Sequence, residues 1–295
     1  MKISTIPAGT YVIAVSGGVD SVVLLDLMAE VSDCTLIVAH VDHGIRTDSH
    51  LDRQFVEELA EKYKLQFFYT EANLGANASE EAARKARYEF LRNIKDKTGA
   101  RAIITAHHQD DLLETLILNV LRGTKRKGLS SLESGQELLR PLLGYTKGEL
   151  YTYANKHNLK WREDPTNRDK KYSRNWIRHN VVPRLSTAQR QTLLNSHKTM
   201  KDLNMMIDAM IDGLLPRSDV DKLPRSQFIA LPHDVAKEVC AMWLRKNNYA
   251  DFDTKTIEKL TVNLKKLAPG KTIHTAGGSI AVSQKDFVFN SSQKD

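Results

Sequence analysis

Ser16-Gly17-Gly18-Val19-Asp20-Ser21 stands between an apolar run at 11–15 and an apolar-periodic segment at 22–29. A strand that turns through two glycines into a helix lets backbone amides come close to a phosphate, at the positive end of the helix dipole. The hydroxyls of Ser16 and Ser21 can donate to phosphate oxygens. Asp20 would repel a bare phosphate, which places a Mg2+ ion between the two. The lysine of a Walker loop is missing, and so is the GxGxxG spacing of a dinucleotide fold. The plain alternative is a glycine-rich β–α turn of any α/β protein.

Other polar clusters fall at the ends of apolar runs. His40-Val41-Asp42-His43-Gly44-Ile45-Arg46 closes a second strand, and Thr105-Ala106-His107-His108-Gln109-Asp110-Asp111 closes a fourth and leads into Glu114. Asp110 and Glu114 are four apart, so one helical face carries two carboxylates, able to hold Mg2+ or an ammonium group. Capping of the helix would explain one of these acids. A transition-metal site is ranked low, because a strand-to-helix turn scatters the two histidines and the acids. Arg84, Arg87 and Tyr88 line adjacent rows of a helix, a pattern equally expected of a solvated basic face. From Arg168 to Arg184 the chain carries six Lys/Arg and one acid, interleaved with Tyr172 and Trp176. Guanidinium groups with stacking aromatics suit a phosphate backbone and unpaired bases, while a solvated helix face competes evenly. A second basic run, Arg122-Gly123-Thr124-Lys125-Arg126-Lys127-Gly128, follows the acidic helix and could steer a polyanion.

The elements that must position these residues alternate. Strands are expected at 11–15, 35–41, 65–70 and 101–106, and helices at 21–31, 49–63, 79–97 and 110–121. Ser49 with Asp52, Asn77 with Glu80 and Thr146 with Glu149 have capping-box spacing, the last opening a helix at 147–156 after an extended 139–143. The alternation implies an α/β fold, a parallel sheet with helices on both faces and a ligand at the carboxyl ends of the strands. A long polar helix at 188–214, two helices at 233–246 and 253–267, and a strand pair at 272–275 and 279–289 follow, Gly277-Gly278 making the turn. This predicts a catalytic domain over 1–185, a helical linker over 186–215 and a small α+β module over 216–295.

Composition narrows the class. The chain has 295 residues, 41% hydrophobic and 27% charged, with a formal net charge of +7. That excess is compatible with a polyanionic partner without establishing one. Two cysteines, Cys34 and Cys240, and no CxxC argue against a zinc ribbon, an iron–sulfur cluster or a disulfide framework. The short first apolar run ends in Ser-Gly-Gly and does not read as a signal peptide. No apolar stretch approaches the ~20 residues of a membrane helix. A reducing cytoplasmic compartment is expected.

Six segments, in order, resemble one family: SGGVDS at 16–21, HVDHGIR at 40–46, EEAARKARYEFL at 80–91, TAHHQDDLLETLILNVLRG at 105–123, RPLL at 140–143 and DPTNRDKKYSRNWIRHNVVP at 164–183. SGGxDS is similar across the ATP pyrophosphatase superfamily, and the fold it implies is that of the adenine nucleotide alpha hydrolases. The AHHQDD…ET and NRDKKYSRNWIR stretches resemble the bacterial tRNA(Ile)-lysidine synthetases more specifically. The resemblance implies adenylation by ATP of C2 of the first-anticodon-position cytidine in a tRNA(Ile) with a CAU anticodon. Free L-lysine then displaces AMP through its ε-amine. It implies ATP bound by Ser16, Gly17, Gly18, Val19, Asp20 and Ser21, with Mg2+ on Asp20 and Asp110. Asp20, Asp110, Asp111, Glu114, His43 and His107 are the implied catalytic set, either histidine being open as base. Arg84, Arg87, Arg168, Lys170, Lys171, Arg174, Asn175 and Arg178 are implied on tRNA, and a homodimer is open. Thr124-Lys125-Arg126-Lys127 departs from the small Gly-x-Gly-like stretch expected there. After residue 185 the resemblance weakens to the Gly-Gly strand pair, and one C-terminal module is expected where longer members carry two.

Three other readings compete. A tRNA thiolase needs cysteines that this chain does not pair. A silent RNA-binding relative has no chemical reason to keep Asp20, Asp110, Asp111 and Glu114. An amidotransferase-type ligase needs an ammonia source and has no use for the 168–184 cluster.

Overall fold

Tyr11, Val12 and Ile13 are all inaccessible to solvent, although a strand turns successive side chains to opposite faces. Both faces of their sheet are therefore covered, as a continuous apolar run rather than an alternating one foretells. The computed structural model describes residues 1–3, 6–42, 44, 49–72, 80–130, 132, 134–162, 173–250 and 252–291. It divides into two compact units, Met1–Met200 and Lys201–Asp295.

In the first unit, β1 (Gly9–Ala14), β2 (Cys34–Asp42), β3 (Gln66–Glu71), β4 (Ala102–Ile104) and β5 (Leu138–Leu139) form one sheet, in the order β3-β2-β1-β4-β5. Every pairing is parallel. Tyr11, Ile13, Leu36, Val38, Ala102 and Ile104 face a core built with α1 (Val19–Ala29), α2 (Ser49–Lys62) and α6 (Lys147–Lys156). Val12, Ile37, Ala39 and Ile103 face α3 (Glu80–Thr98). Chain order runs outward from β1 through β2 to β3, then crosses back to β4. The direction reverses between β1 and β4, which opens the crevice where an open α/β sheet takes its ligand. At that crevice begin α4 (Gln109–Leu121) and α6, with α7 (Ser173–Asn180) packed on α4 through Leu113 and Ile177, while the short α5 (Arg126–Leu129) follows the far end of α4.

Local signals specify α6 well. Thr146 Oγ1 accepts the Glu149 amide at 3.2 Å, and Glu149 accepts the Thr146 amide at 2.7 Å, completing the expected box. Asp52 pairs through one carboxylate oxygen with Arg162. Asn77 lies outside the described residues.

The helix α8 (Thr187–Asp212) covers most of the expected 188–214. In the second unit, α9 (Arg225–Ala230), α10 (His233–Lys246) and α11 (Thr254–Lys266) pack with a four-stranded antiparallel sheet around Phe228, Trp243 and Phe287. Its strands are β6 (Lys222–Pro224), β7 (Thr272–Thr275), β8 (Gly278–Val282) and β9 (Asp286–Ser291). The single strand expected at 279–289 is two. Ser283 Oγ accepts the Asp286 amide at 2.8 Å and closes a turn that carries neither glycine nor proline, so no punctuation marked it. Among the described residues no helix is long and apolar enough to cross a membrane.

Candidate active site

The Ser16–Ser21 loop leaves the carboxyl end of β1 and enters α1. Gly17 has φ +90°, a conformation that only glycine takes freely. Ser21 Oγ donates to the Gly18 carbonyl at 2.9 Å and lies 3.3 Å from Ser16 Oγ, so the two hydroxyls brace the turn from within. Val19 and Asp20 begin α1, whose first-turn amides point out of the helix end.

Asp20 is not alone. Lys147 Nζ lies 2.7 Å from each of its carboxylate oxygens, and His108 Nε2 lies 3.7 Å from one of them. The single acid of the loop thus already faces a cation, so its donor chemistry fits a metal-bound polyphosphate. Asp110 is spent otherwise. It accepts the Lys147 amide at 2.9 Å and pairs with Arg190, so both its oxygens are occupied. Among the described residues no three His, Cys, Asp or Glu side chains gather as a metal site. Mg2+ commonly takes one or two carboxylates together with phosphate oxygens, a role that Asp20 alone can fill.

Asp111 and Glu114 turn to α7. Asp111 accepts the His108 amide at 3.0 Å, as a helix cap, and Arg178 Nη2 at 3.1 Å. Although burial opposes it, these donors and the neighbouring His108 and His107 hold the Asp111 carboxyl below the usual carboxylate range. Glu114, 1% exposed, accepts Arg178 Nε at 2.7 Å, Arg178 Nη2 at 2.9 Å and Arg174 Nε at 3.3 Å. Asp110 and Glu114, though four apart on α4, therefore send their carboxylates to different partners.

His107 accepts or donates at Nδ1 with Thr105 Oγ1 at 2.9 Å. Burial, helped by Arg140, Arg87 and Arg84 and opposed by Asp111, pushes its pKa down to about 3. An imidazole held so firmly neutral is poorly matched to take a proton near neutrality. His40 Nδ1 donates to the Val15 carbonyl at 2.9 Å, and burial lowers its pKa as well. On α3, Arg84 and Arg87 lie 4.8 and 5.3 Å from the Tyr88 ring centroid, and Arg174 acts on Arg87 through space. These arginines form a basic shoulder beside His107. His43, Arg168, Lys170 and Lys171 lie outside the described residues. Asn175 sits on α7 with its neighbour Trp176 exposed.

Spacing missed Lys147 and Arg190, and it gave His108 and Arg140 no role beside Asp20 and His107. Lys147 carried one signal, the capping box immediately before it, which fixes where its helix begins. Cysteine chemistry has no place here. Cys34 opens β2 at the amino end, about 26 Å of strand from the crevice. Cys240 is fully buried in the second unit, where desolvation pushes its thiol up to about 12.

A phosphate loop at the switch point of a parallel sheet defines a nucleotide-binding α/β domain. Residues 3–185 match the PP-loop domain family of ATP-binding proteins, and the chain belongs to it. It is similar to the tRNA(Ile)-lysidine synthase of Thermotoga maritima, 39% identical over 181 residues, 58% of this chain and 44% of that protein. The same name belongs to a relative from Francisella tularensis subsp. holarctica, 32% identical over 260 residues, 84% of this chain and 65% of that protein. The chain thus spans between two fifths and two thirds of the length of these two relatives. Among solved structures, a U34-tRNA thiolase from Methanococcus maripaludis with its 4Fe–4S cluster superposes with a TM-score of 0.55 at 17% identity, covering 65% of this chain and 71% of that one. That likeness concerns the fold alone.

Proposed function

We propose that the chain is a tRNA(Ile)-lysidine synthase, a ligase that forms a C–N bond while splitting ATP to AMP and pyrophosphate. The observation that carries this reading is the meeting, at one strand-end crevice, of the Ser16–Ser21 loop and the acid- and arginine-rich faces of α3, α4 and α7. The relatives' names agree with it. The loop amides and the end of α1 hold the polyphosphate. Asp20 would hold Mg2+, which would supply charge neutralisation for the pyrophosphate leaving group. The cytidine O2 attacks the α-phosphorus, and the lysine ε-amine then attacks C2 and expels AMP. Arg84 and Arg87, with Arg168, Lys170, Lys171 and Asn175, draw the tRNA to the crevice. Arg174 and Arg178 belong to the same face, and their bonds to Glu114 hold α7 in place for it. His107, held neutral, is poorly matched to take the amine proton, which leaves that role to His43. Residues 1–185 are read as the catalytic domain, 186–215 as its linker and 216–295 as a tRNA-binding module, in the cytoplasm.

The test is mass analysis of a CAU-anticodon tRNA(Ile) transcript after incubation with the protein, ATP, Mg2+ and L-lysine. A gain of one lysine less water, dependent on ATP, is expected. An unchanged transcript in the presence of folded, ATP-binding protein overturns the assignment.

A further inference from the structure

We infer that Lys147 is an ATP-handling residue: its ammonium holds Asp20 while no nucleotide is bound and passes to the polyphosphate when Mg2+–ATP arrives. This rests on the ATP-dependent reading above.

The loop has no lysine of its own, and the positive charge beside it comes from the first residue of α6, 127 positions further along the chain. Both partners are half-buried, Lys147 with 35% of its side chain accessible and Asp20 with 27%, so neither is locked away from a ligand. The backbone of Lys147 is fixed from two sides. Asp110 accepts its amide at 2.9 Å, and the Thr146–Glu149 box closes the same turn. Only the flexible stem is left to move, past the Tyr151 ring, whose centroid lies 5.3 Å from Nζ.

Charge balance supplies the motive. Asp20 cannot give both oxygens to an ammonium and also bind a metal. When it turns to Mg2+, Lys147 loses two charge-assisted hydrogen bonds. Its own element offers Glu149, which is committed to the Thr146 amide and hydroxyl, and Asp110 is held by Arg190. The polyphosphate at the start of α1 carries more negative charge than one divalent ion cancels, and it is the anion that can replace Asp20. The same ammonium neutralises Asp20, which disfavours a metal that arrives without nucleotide.

Two measurements on Lys147→Gln test this in opposite directions. Calorimetric titration with Mg2+–ATP should give an affinity about tenfold weaker than wild type, as expected for one lost charge-assisted hydrogen bond. Titration of the nucleotide-free protein with Mn2+ alone should give tighter binding than wild type, because Asp20 is released. Lys147→Arg keeps the charge and should restore most of the ATP affinity. Wild-type ATP affinity in Lys147→Gln, or weakening of both ligands together, overturns the inference and leaves the ATP reading standing. Failure of the wild-type protein to bind Mg2+–ATP overturns both.

Discussion

Tyr153 donates its hydroxyl to Asp26 at 2.9 Å, six residues along α6 and six along α1 from the place where Lys147 meets Asp20. Two rungs about 9 Å apart therefore fix the register of α1 against α6. Tyr63, just past the end of α2, donates to the other Asp26 oxygen at 2.5 Å, so a partly buried carboxylate is satisfied by two phenols. Burial and that carboxylate hold both phenols protonated. Tyr153→Phe removes the far rung without emptying the core. It should cost about 1 kcal/mol, a fall in Tm of roughly 2–4 °C by calorimetry. An unchanged Tm would mean that the packing of α1 on α6 suffices.

Glu114 makes α7 dependent on α4. A carboxylate 1% exposed has two guanidinium groups as partners, and removing them leaves it charged and dry. Arg174→Ala with Arg178→Ala should therefore destabilise the first unit by about 3 kcal/mol, at the low end for a buried pair because both arginines reach solvent. Adding Glu114→Gln should recover part of this loss in urea denaturation, since the stranded charge is gone. No recovery would show that the arginines stabilise through packing alone. Weaker tRNA binding by the arginine variants counts as loss of a contact only where hydrogen exchange shows α7 intact.

Much of the scaffold was legible because its signals are local. The apolar runs of β1 and β2, the loop between β1 and α1 and the box at Thr146 all lie within a few residues of what they specify. The pairings that complete the site do not. Lys147 meets Asp20 across 127 positions and Arg178 meets Glu114 across 64, distances over which no periodicity runs. The i, i+4 spacing of Asp110 and Glu114 correctly put them on one helix. It said nothing of α6 and α7, which claim one carboxylate each. In the second unit the turn at Ser283 was illegible because a hydroxyl does there what glycine or proline usually does.

Gly277 should prove intolerant of any side chain. A Cβ there would lie 2.2 Å from the Tyr249 ring, which is buried and stacked parallel to Phe289 with centroids 6.2 Å apart. The ring cannot retreat without disturbing that core. Gly277→Ala should destabilise the second unit by about 1–3 kcal/mol. Faster amide exchange in β8 and β9, with β1 and β4 unchanged, is the expected signature. Equal protection in both sheets would mean that the hairpin yields locally.

The last prediction concerns acid. His107 sits where burial, with Arg140, Arg87 and Arg84, pushes its pKa down to about 3, whereas in the unfolded chain it titrates near its usual value of about 6.5. Between those values the unfolded state binds the proton and the folded state does not. The stability contributed by a neutral His107 is thus complete above about pH 6.5 and is lost progressively as pH falls toward about 3. Burial lowers His40 too, so it acts with the same sign. Asp111, held below the carboxylate range, withdraws its share only at more acid pH. The window from about pH 6 to about pH 4.5 therefore isolates the histidines. Wild-type unfolding free energy there should fall by about 1 kcal/mol or more per pH unit, the limit for one proton being about 1.4. His107→Gln, which keeps a side-chain partner for Thr105, should flatten that slope by about half and leave the His40 share. Urea denaturation at stepped pH measures it. An identical slope in the variant would mean that His107 takes up its proton in the folded protein, and would return it to candidacy as the base for the incoming amine.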